Sequence, residues 1–318
     1  MVATILNEGI SARSTAASLE ARVVRYADLV PCLNAFVDTR TPGSDAKENF
    51  TIIGPGVSEN PEQHIHIAEP HGFNIGGARQ PPGCTNSQHS HDTAEVFVVH
   101  SGKWRFDFGE NGDDAQVAAG PGDVVSFPTH AFRGFRNVGD GPGFLWSVLG
   151  GDDPGRVTWA PAVFELAREY GLVLLENGSL VDTAKGQRPP EGIAPMPVTS
   201  RDAIARLRVM KDADVDEVLA RAPADPIPGE TLVIGPGGVL PATEGFTLSR
   251  VVMTAGFESD TTSPSLPEVA FAQHGAVVVR TDDGDVTLNS GDTITVPRGL
   301  PRSYASDGDA TLIVVRGT

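Results

Sequence analysis

The chain has 318 residues, of which 40% are hydrophobic and 20% are charged, and this composition excludes an intrinsically disordered protein. The formal net charge of -17 argues against a surface that binds nucleic acid or an anionic membrane. No apolar run reaches the length of a membrane span, so we expect a cytoplasmic protein with no membrane partner.

Glycine (36 residues) and proline (25 residues) are frequent, which favours many turns and short strands over long helices. Residues 1–60 are predicted to form an N-terminal arm and a leading segment that packs outside a barrel or contacts a partner subunit. Beyond it, short runs of strand-forming residues alternate with turns, which is typical of a sandwich or a barrel. These predicted strands span residues 73–79, 90–100, 103–108, 116–119, 123–127, 132–137 and 143–149.

Two histidines and a glutamate form the first chemical signature in this region. His89 and His91 share one face if their segment is extended, because side chains at i and i+2 of a strand point the same way. Glu95 follows a three-residue turn and opens the next strand, so it can join them. Two imidazoles and one carboxylate with open coordination positions are the ligand set of non-haem Fe(II) oxygenases, and the same set with a water suits zinc. Taken alone, the pair of histidines is equally well explained by a surface strand.

A second pair, His64 and His66, is a rival candidate for a metal site. Alternation with Ile65 and Ile67 places both imidazoles on the polar face of a half-buried strand, and no carboxylate follows at matching spacing. We therefore predict a solvated strand face here rather than a second ligand pair.

The first signature resembles a motif of the cupin family. Gly83, His89, His91, Glu95 and Gly102 match the spacing of the first cupin motif at every position. This resemblance implies an all-β protein built on a double-stranded β-helix (jelly-roll) barrel that carries a metal inside, with both histidines and the glutamate as ligands. It also implies one divalent metal per chain, with Fe(II) preferred and Mn, Zn or Ni as alternatives.

The second cupin motif is altered. Gly122, Pro128 and Asn137 match it, but His130 replaces its glycine and Arg133 replaces its histidine. A guanidinium stays protonated and cannot coordinate a cation, so the resemblance implies a three-ligand site. Arg133 then either faces the cavity as a fixed positive group for an anionic substrate or forms a salt bridge with an acidic neighbour. His130 is a substitute ligand, an acid/base or substrate contact at the cavity mouth, or a surface histidine.

The walls of the cavity are expected from residues that share the inward direction of the ligands. Phe97 and Val99 continue the inward face from Glu95, and Phe127 and Phe135 are the candidates from the second motif. Their alternative role is simple packing in the barrel core. An apolar pocket around a metal suits an aromatic or otherwise planar substrate.

A helical connection is predicted over residues 156–225. One helix begins near Pro161 and ends before Gly171, and a second begins after Ser200 as its N-cap. The proline-rich stretch 185–198 between them is the predicted domain boundary.

The C-terminal part repeats the N-terminal part, which predicts a tandem of two cupin barrels over residues 61–155 and 226–318. Identical residues recur at an offset of 173 for Gly72, Phe73, Glu95 and Gly102, and at an offset of 169 for Gly122, Asp123, Pro128 and Arg133. The first offset places Thr262 and Pro264 where His89 and His91 stand in the first copy, so we expect the second barrel to lack a metal.

Three functions remain open on these residues. The one we favour is a metal-dependent dioxygenase that uses O2 to cleave a small aromatic diol, enol or diketone, similar to gentisate-type and quercetin-type bicupins. The second is a non-redox metal-dependent lyase or isomerase in which the metal polarises a carbonyl and His130 moves a proton. The third is a non-enzymatic cupin that binds a small molecule. By analogy with the fold, we expect a homodimer or a larger homo-oligomer.

Overall fold

The computed structural model describes residues 19–282 and 284–318, so most of the predicted N-terminal arm lies outside the described residues. Twelve short strands lie before residue 160. They are β1 (Val23–Val24), β2 (Glu48–Ile53), β3 (Ile65–Ile67), β4 (Phe73–Gln80), β5 (Thr85–His91), β6 (Glu95–Ser101), β7 (Trp104–Phe108), β8 (Ala115–Ala119), β9 (Val124–Phe127), β10 (Arg133–Asn137), β11 (Gly143–Gly150) and β12 (Val157–Trp159).

The remaining strands follow helix α1 (Pro161–Glu169), and a single-turn helix, α2 (Arg201–Ile204), lies among them. They are β13 (Leu172–Leu174), β14 (Leu180–Asp182), β15 (Leu219–Ala220), β16 (Gly229–Ile234), β17 (Phe246–Met253), β18 (Phe257–Glu258), β19 (Glu268–His274), β20 (Val277–Thr281), β21 (Gly284–Leu288), β22 (Thr293–Val296), β23 (Ser303–Ser306) and β24 (Ala310–Gly317).

The N-terminal barrel consists of two facing sheets. One has the order β15-β9-β6-β11-β4-β2-β3 and the other the order β12-β5-β10-β7-β8. Pairing is antiparallel throughout, except between β2 and β3. The barrel also takes up strand β2, which precedes the range 61–155 predicted for it, because β2 pairs with β4 along the sheet.

The C-terminal barrel repeats this arrangement with sheets of the order β1-β22-β19-β24-β17-β16 and β18-β23-β20-β21. The predicted all-β fold of two jelly-roll barrels with a few short helices is therefore confirmed. Each barrel also includes a short strand from outside its own part of the chain. Strand β1 of the leading segment pairs with β22 of the C-terminal barrel, and β15 of the connection pairs with β9 of the N-terminal barrel.

The larger sheets of the two barrels pack face to face through a shared apolar cluster. At its centre the rings of Trp146 and Phe271 stack with centroids 4.8 Å apart, and the Trp146 indole donates a hydrogen bond of 3.1 Å to the Thr293 hydroxyl. Strand β11 is buried at all eight positions because its side chains alternate between two apolar environments. Leu145 points into the N-terminal barrel core, whereas Trp146 and Val148 point into the interface.

The helices follow the predicted signals. Helix α1 begins with Pro161 in its first turn and is followed by Gly171 in the left-handed conformation (φ 78°). Helix α2 begins after Ser200, whose hydroxyl accepts a hydrogen bond from the Ala203 N–H. In the described part of the chain, none of the helices combines the length and apolarity that crossing a bilayer requires.

Candidate metal centre

The turn between β5 and β6 brings the predicted ligands together. His89 and His91 lie on one face at the end of β5, and Glu95 is the first residue of β6. One potential ligand atom from each of the three residues lies within 4.8 Å of the others, and all three side chains are buried. Within this group, His91 Nε2 and Glu95 Oε1 lie 3.8 Å apart.

Both imidazoles are held in the neutral form that a metal requires. Burial lowers the pKa of His89 and of His91 well below the usual value, and the positive charge of Arg133 lowers both further. The Nδ1–H group of His89 donates to the carbonyl oxygen of Ser87 at 2.7 Å, which leaves Nε2 as the free lone pair. His91 Nδ1 is buried and has no hydrogen-bond partner among the described residues.

Arg133 lies behind the cluster rather than in the cavity. Its side chain is 1% exposed, its Nη2 donates to Glu95 Oε2 at 2.5 Å, and its guanidinium carbon lies 5.4 Å from the centre of the Phe127 ring. Of the two roles predicted for this arginine, the geometry matches the salt bridge with an acidic neighbour. One oxygen of Glu95 is thereby occupied, and the other faces the histidines.

These observations fit a divalent metal. Two neutral imidazoles and one carboxylate oxygen converge in a buried site, and this donor set suits Fe, Zn and related first-row ions. Partial occupation of Glu95 by Arg133 does not remove the carboxylate from the set, because a carboxylate has lone pairs on both oxygens. The three residues would therefore hold the ion in the N-terminal barrel.

A cavity of about 70 Å³ opens in front of the ligands. Aromatic rings form part of its wall, namely Phe97 and Phe135 from the barrel and Trp159 from β12. The leading segment supplies much of the rest, with lining residues Ala35, Phe36, Gly56, Val57 and Ser58. Of the four predicted wall residues, Val99 and Phe127 do not line this cavity and pack in the barrel core instead.

His130 is not brought into the cavity. It adopts a left-handed backbone conformation (φ 57°), and its exposed side chain lines a separate surface cleft together with Arg208. Its backbone does connect to the ligands, because the His130 N–H donates to the carbonyl oxygen of His91 at 2.9 Å. The backbone of His130 therefore helps to shape the turn beside the cluster of candidate ligands.

In the rival pair, His64 and His66, backbone groups contact the ring of His66. The Val30 N–H donates to His66 Nε2 at 3.1 Å, and His66 Nδ1 lies 2.8 Å from the carbonyl oxygen of Thr51. Both ring nitrogens of His66 are thus engaged, while His64 is exposed. Because backbone groups occupy both nitrogens of His66, this pair does not form a second set of metal ligands in the structure.

Sequence reasoning missed a buried carboxyl group beside the site. Glu59 accepts hydrogen bonds of 2.6 Å from the Val37 N–H and from the indole of Trp159, whose ring lies 5.2 Å from that of His89. Burial raises the pKa of Glu59 to about 8, against the opposing effect of these two donors. No local pattern reveals this role, because Glu59 is separated from Trp159 by 100 residues and stands among turn-forming residues.

In the second barrel the motif glutamate is enclosed by protein groups. Glu268 accepts from Arg302 at 2.5 Å, from Arg316 Nε at 2.7 Å and from the Tyr304 hydroxyl at 2.7 Å. Thr262, which replaces the first histidine, is bridged to Arg302 along the backbone. The arginine at the histidine position of the second motif thus pairs with the motif glutamate in both barrels.

Comparisons with known proteins agree with this architecture. A family model for the cupin domain matches residues 78–149. A bacterial pirin from Escherichia coli in complex with nickel(II) superposes with a TM-score of 0.53 at 10% identity, covering 92% of this chain and 96% of that one. A mutant of salicylate 1,2-dioxygenase from Pseudoaminobacter salicylatoxidans gives 0.52 at 15% identity, with 92% and 82% covered. A deletion mutant of Bacillus subtilis oxalate decarboxylase gives 0.54 at 14% identity, with 93% and 76% covered.

No curated protein sequence matches the chain. At 10–15% identity, the structural likenesses show the fold and not the activity. The matched segment 78–149 contains all three predicted ligands and most strands of the first barrel. The sheets of the second barrel repeat most of the strand order of that unit, so the chain has the fold of two tandem cupin-like barrels, the first of which contains the segment that the cupin-domain model matches.

Proposed function

We propose that this bicupin is a metal-dependent dioxygenase that cleaves a small enol or diketone, with an aromatic diol as the larger member of the substrate range. The observation that carries the proposal is the cluster of two histidines and one glutamate, buried at one end of a largely apolar cavity. A divalent metal held there would supply Lewis-acid chemistry and, as Fe(II), redox chemistry at its open positions.

The protein residues around the cluster have separate tasks. Ser87 holds the His89 imidazole, and Arg133 fixes one oxygen of Glu95, so the donor atoms are oriented before any ligand arrives. Phe97, Phe135 and Trp159 exclude water from the cavity and provide a flat apolar surface for a planar substrate.

A polar group in the wall suits an oxygen-bearing substrate. Asn49 lines the cavity, and its Nδ2 is buried without a hydrogen-bond partner among the described residues. An amide donor that lacks a partner favours a ligand with a carbonyl or enolate oxygen, because a buried polar group is costly unless it is hydrogen-bonded.

The volume of the cavity favours some of these substrates over others. An apolar cavity of about 150 Å³ holds benzene, whereas the cavity here has about half of that volume. An acyclic enol or diketone therefore fits the present conformation better than an aromatic ring. A ring substrate would require the leading segment to move outward.

The test combines metal content with O2 uptake. Anaerobically purified protein is expected to hold about one iron per chain and to consume O2 with enols or diketones in a panel that also contains catechols and gentisate-like acids. His91→Ala should lose both the metal and the activity, whereas the matched control His64→Ala should keep both. A wild-type protein that binds no metal after reconstitution would refute the proposal.

The same small volume favours a second candidate, a non-redox lyase or isomerase that acts on a small carbonyl or carboxylate substrate. This enzyme would convert its substrate under anaerobic conditions with zinc or manganese bound. O2-independent turnover would select this candidate over the dioxygenase. Bound metal with no turnover of any substrate would leave a binding protein.

A further inference from the structure

A fully buried ion pair lies beside the candidate metal centre. Asp38 and Lys47, both in the leading segment, have side chains that are 0% exposed and are joined by a salt bridge. Removing two charges from water has a large free-energy cost, and proteins with apolar residues of similar size in place of a buried pair are often at least as stable. The pair therefore calls for an explanation beyond the stability of the fold.

The remaining bonds of both partners are directed to strand β5. Lys47 Nζ donates to Asn86 Oδ1 at 2.9 Å, and Asp38 Oδ2 accepts from the Ser87 N–H at 3.0 Å. These two residues of β5 come immediately before the strand reaches His89. The ion pair thus contacts the ligand-bearing strand and not the metal ligands themselves.

Strand β5 has a β-bulge at this point. In its pairing with β10, His89 lies opposite Arg133 and Asn86 lies opposite Phe135, so Ser87 and Gln88 share the space opposite one residue. A bulge disrupts the ladder and redirects a side chain, and bulges are common beside active sites. Here the Ser87 N–H is bound by Asp38, and the Ser87 carbonyl oxygen accepts from His89 Nδ1.

Lys47 also orients the amide of Asn86. An ammonium group has only donors, so it selects the amide oxygen and turns Nδ2 toward His89 Nδ1, which lies 3.4 Å away. Two donors cannot bond to each other. The 2.7 Å contact with the Ser87 carbonyl is much the shorter, so it determines that His89 Nδ1 carries the proton.

We propose that the Asp38–Lys47 pair is a positioning device for the metal centre, which holds the β5 bulge through Ser87 and thereby presents His89 Nε2 as the ligand atom. Neither residue touches the substrate or the metal. The inference rests on the proposed metal site and assigns that site an outer layer contributed by the leading segment.

The test compares the affinity of metal-free protein for cobalt(II), followed by the absorption spectrum of the bound ion. In D38L/K47M, both charges are replaced by apolar groups, and the Ser87 N–H loses its acceptor. The dissociation constant should rise by about 10- to 100-fold, as is usual when outer partners of metal ligands are removed. D38N/K47M keeps an acceptor for Ser87 without any charge and should return to within about threefold of wild type.

The control is Arg40→Gln, because Arg40 lies in the same segment but bonds to Asp182 of β14 and not to β5. Its cobalt affinity should stay at the wild-type value. Equal affinity of D38L/K47M and wild type would refute the positioning role while leaving the metal site intact. A wild-type protein that binds no cobalt(II) would refute the metal site and this inference together.

A second measurement does not depend on whether the double variant folds. In metal-free wild-type protein, the ¹⁵N NMR shifts of His89 should be those of the neutral tautomer with the proton on Nδ1. The opposite tautomer would overturn the inference directly, because Ser87 would then not hold the ring.

Discussion

The buried carboxyl group of Glu59 gives the protein a pH dependence that one substitution can isolate. Its pKa is raised by burial from the usual 4.5 to about 8, so the folded state holds a proton that the unfolded chain releases at lower pH. The contribution of Glu59 to stability is therefore fully present below about pH 4.5 and is lost as the pH rises toward 8. Glu59→Gln removes this titration.

The magnitude follows from the difference between the two pKa values. At about 1.4 kcal/mol for each tenfold change in the equilibrium, Glu59 costs the wild type about 3 kcal/mol of unfolding free energy between pH 4.5 and 7. By pH 8 and above, the accumulated loss of unfolding free energy relative to pH 4.5 is about 5 kcal/mol. Glutamine offers one carbonyl oxygen to two donors, Val37 and Trp159, so the variant carries a constant cost of about 1–3 kcal/mol for the unsatisfied donor.

Urea unfolding of wild type and Glu59→Gln from pH 5 to pH 9, in the presence of a chelator, measures the effect. The wild type should be the more stable protein at pH 5, and the variant should be the more stable one at pH 9. His89 and His91, whose pKa values are lowered, add stability that is lost as the pH falls below 6.5, but they do so in both proteins. A stability difference that stays constant from pH 5 to pH 9 would refute the assignment of a proton to Glu59.

Two further predictions concern the buried pairs and the interface. Arg133→Met leaves Glu95 buried without its hydrogen-bond partner and should lower stability by about 3–5 kcal/mol, and added divalent metal should restore part of the loss. Arg302→Met should lower stability less than Arg133→Met and show no response to metal, because Glu268 keeps its two other partners. Thermal unfolding with and without metal compares the two variants. Trp146→Ala removes the centre of the inter-barrel stack and should cost about 3–5 kcal/mol in urea unfolding; a loss below about 1 kcal/mol would show that the barrels do not stabilise each other there.

Local signals in the sequence predicted most of the barrel. The alternation of residues in β7 and β8 is a period-two pattern with one buried face, and the turn between them contains Gly112 in the left-handed conformation (φ 76°). The ligand set was predicted for a similar reason, because His89, His91 and Glu95 lie within seven residues and are brought together by one turn. The internal repeat then predicted the second barrel.

The surroundings of the site were not predictable in the same way. Asp38, Lys47 and Glu59 are charged residues in a segment rich in turns, and such residues are normally exposed. Their burial depends on contacts across the chain, such as the bond from Trp159 to Glu59, which joins residues 100 positions apart. The role of Arg133 could not be predicted for a different reason. An arginine suits both of its predicted roles, a salt bridge with an acidic side chain and the binding of a substrate anion.

The two barrels differ in what surrounds the motif glutamate. In each, an arginine of the second motif neutralises one side of the motif glutamate, as Arg133 does for Glu95. The neighbouring strand decides the other side: Arg316 lies opposite Glu268 and donates to it, whereas Leu149 lies opposite Glu95 and lines the cavity. Beside its motif glutamate, the second barrel therefore has the positively charged side chain of Arg316. At the equivalent place the first barrel has an apolar wall and two neutral imidazoles. A bound divalent ion would lie where the second barrel has the Arg316 side chain, so the contrast between Arg316 and Leu149 favours a cation site in the N-terminal barrel on grounds other than the histidine motif.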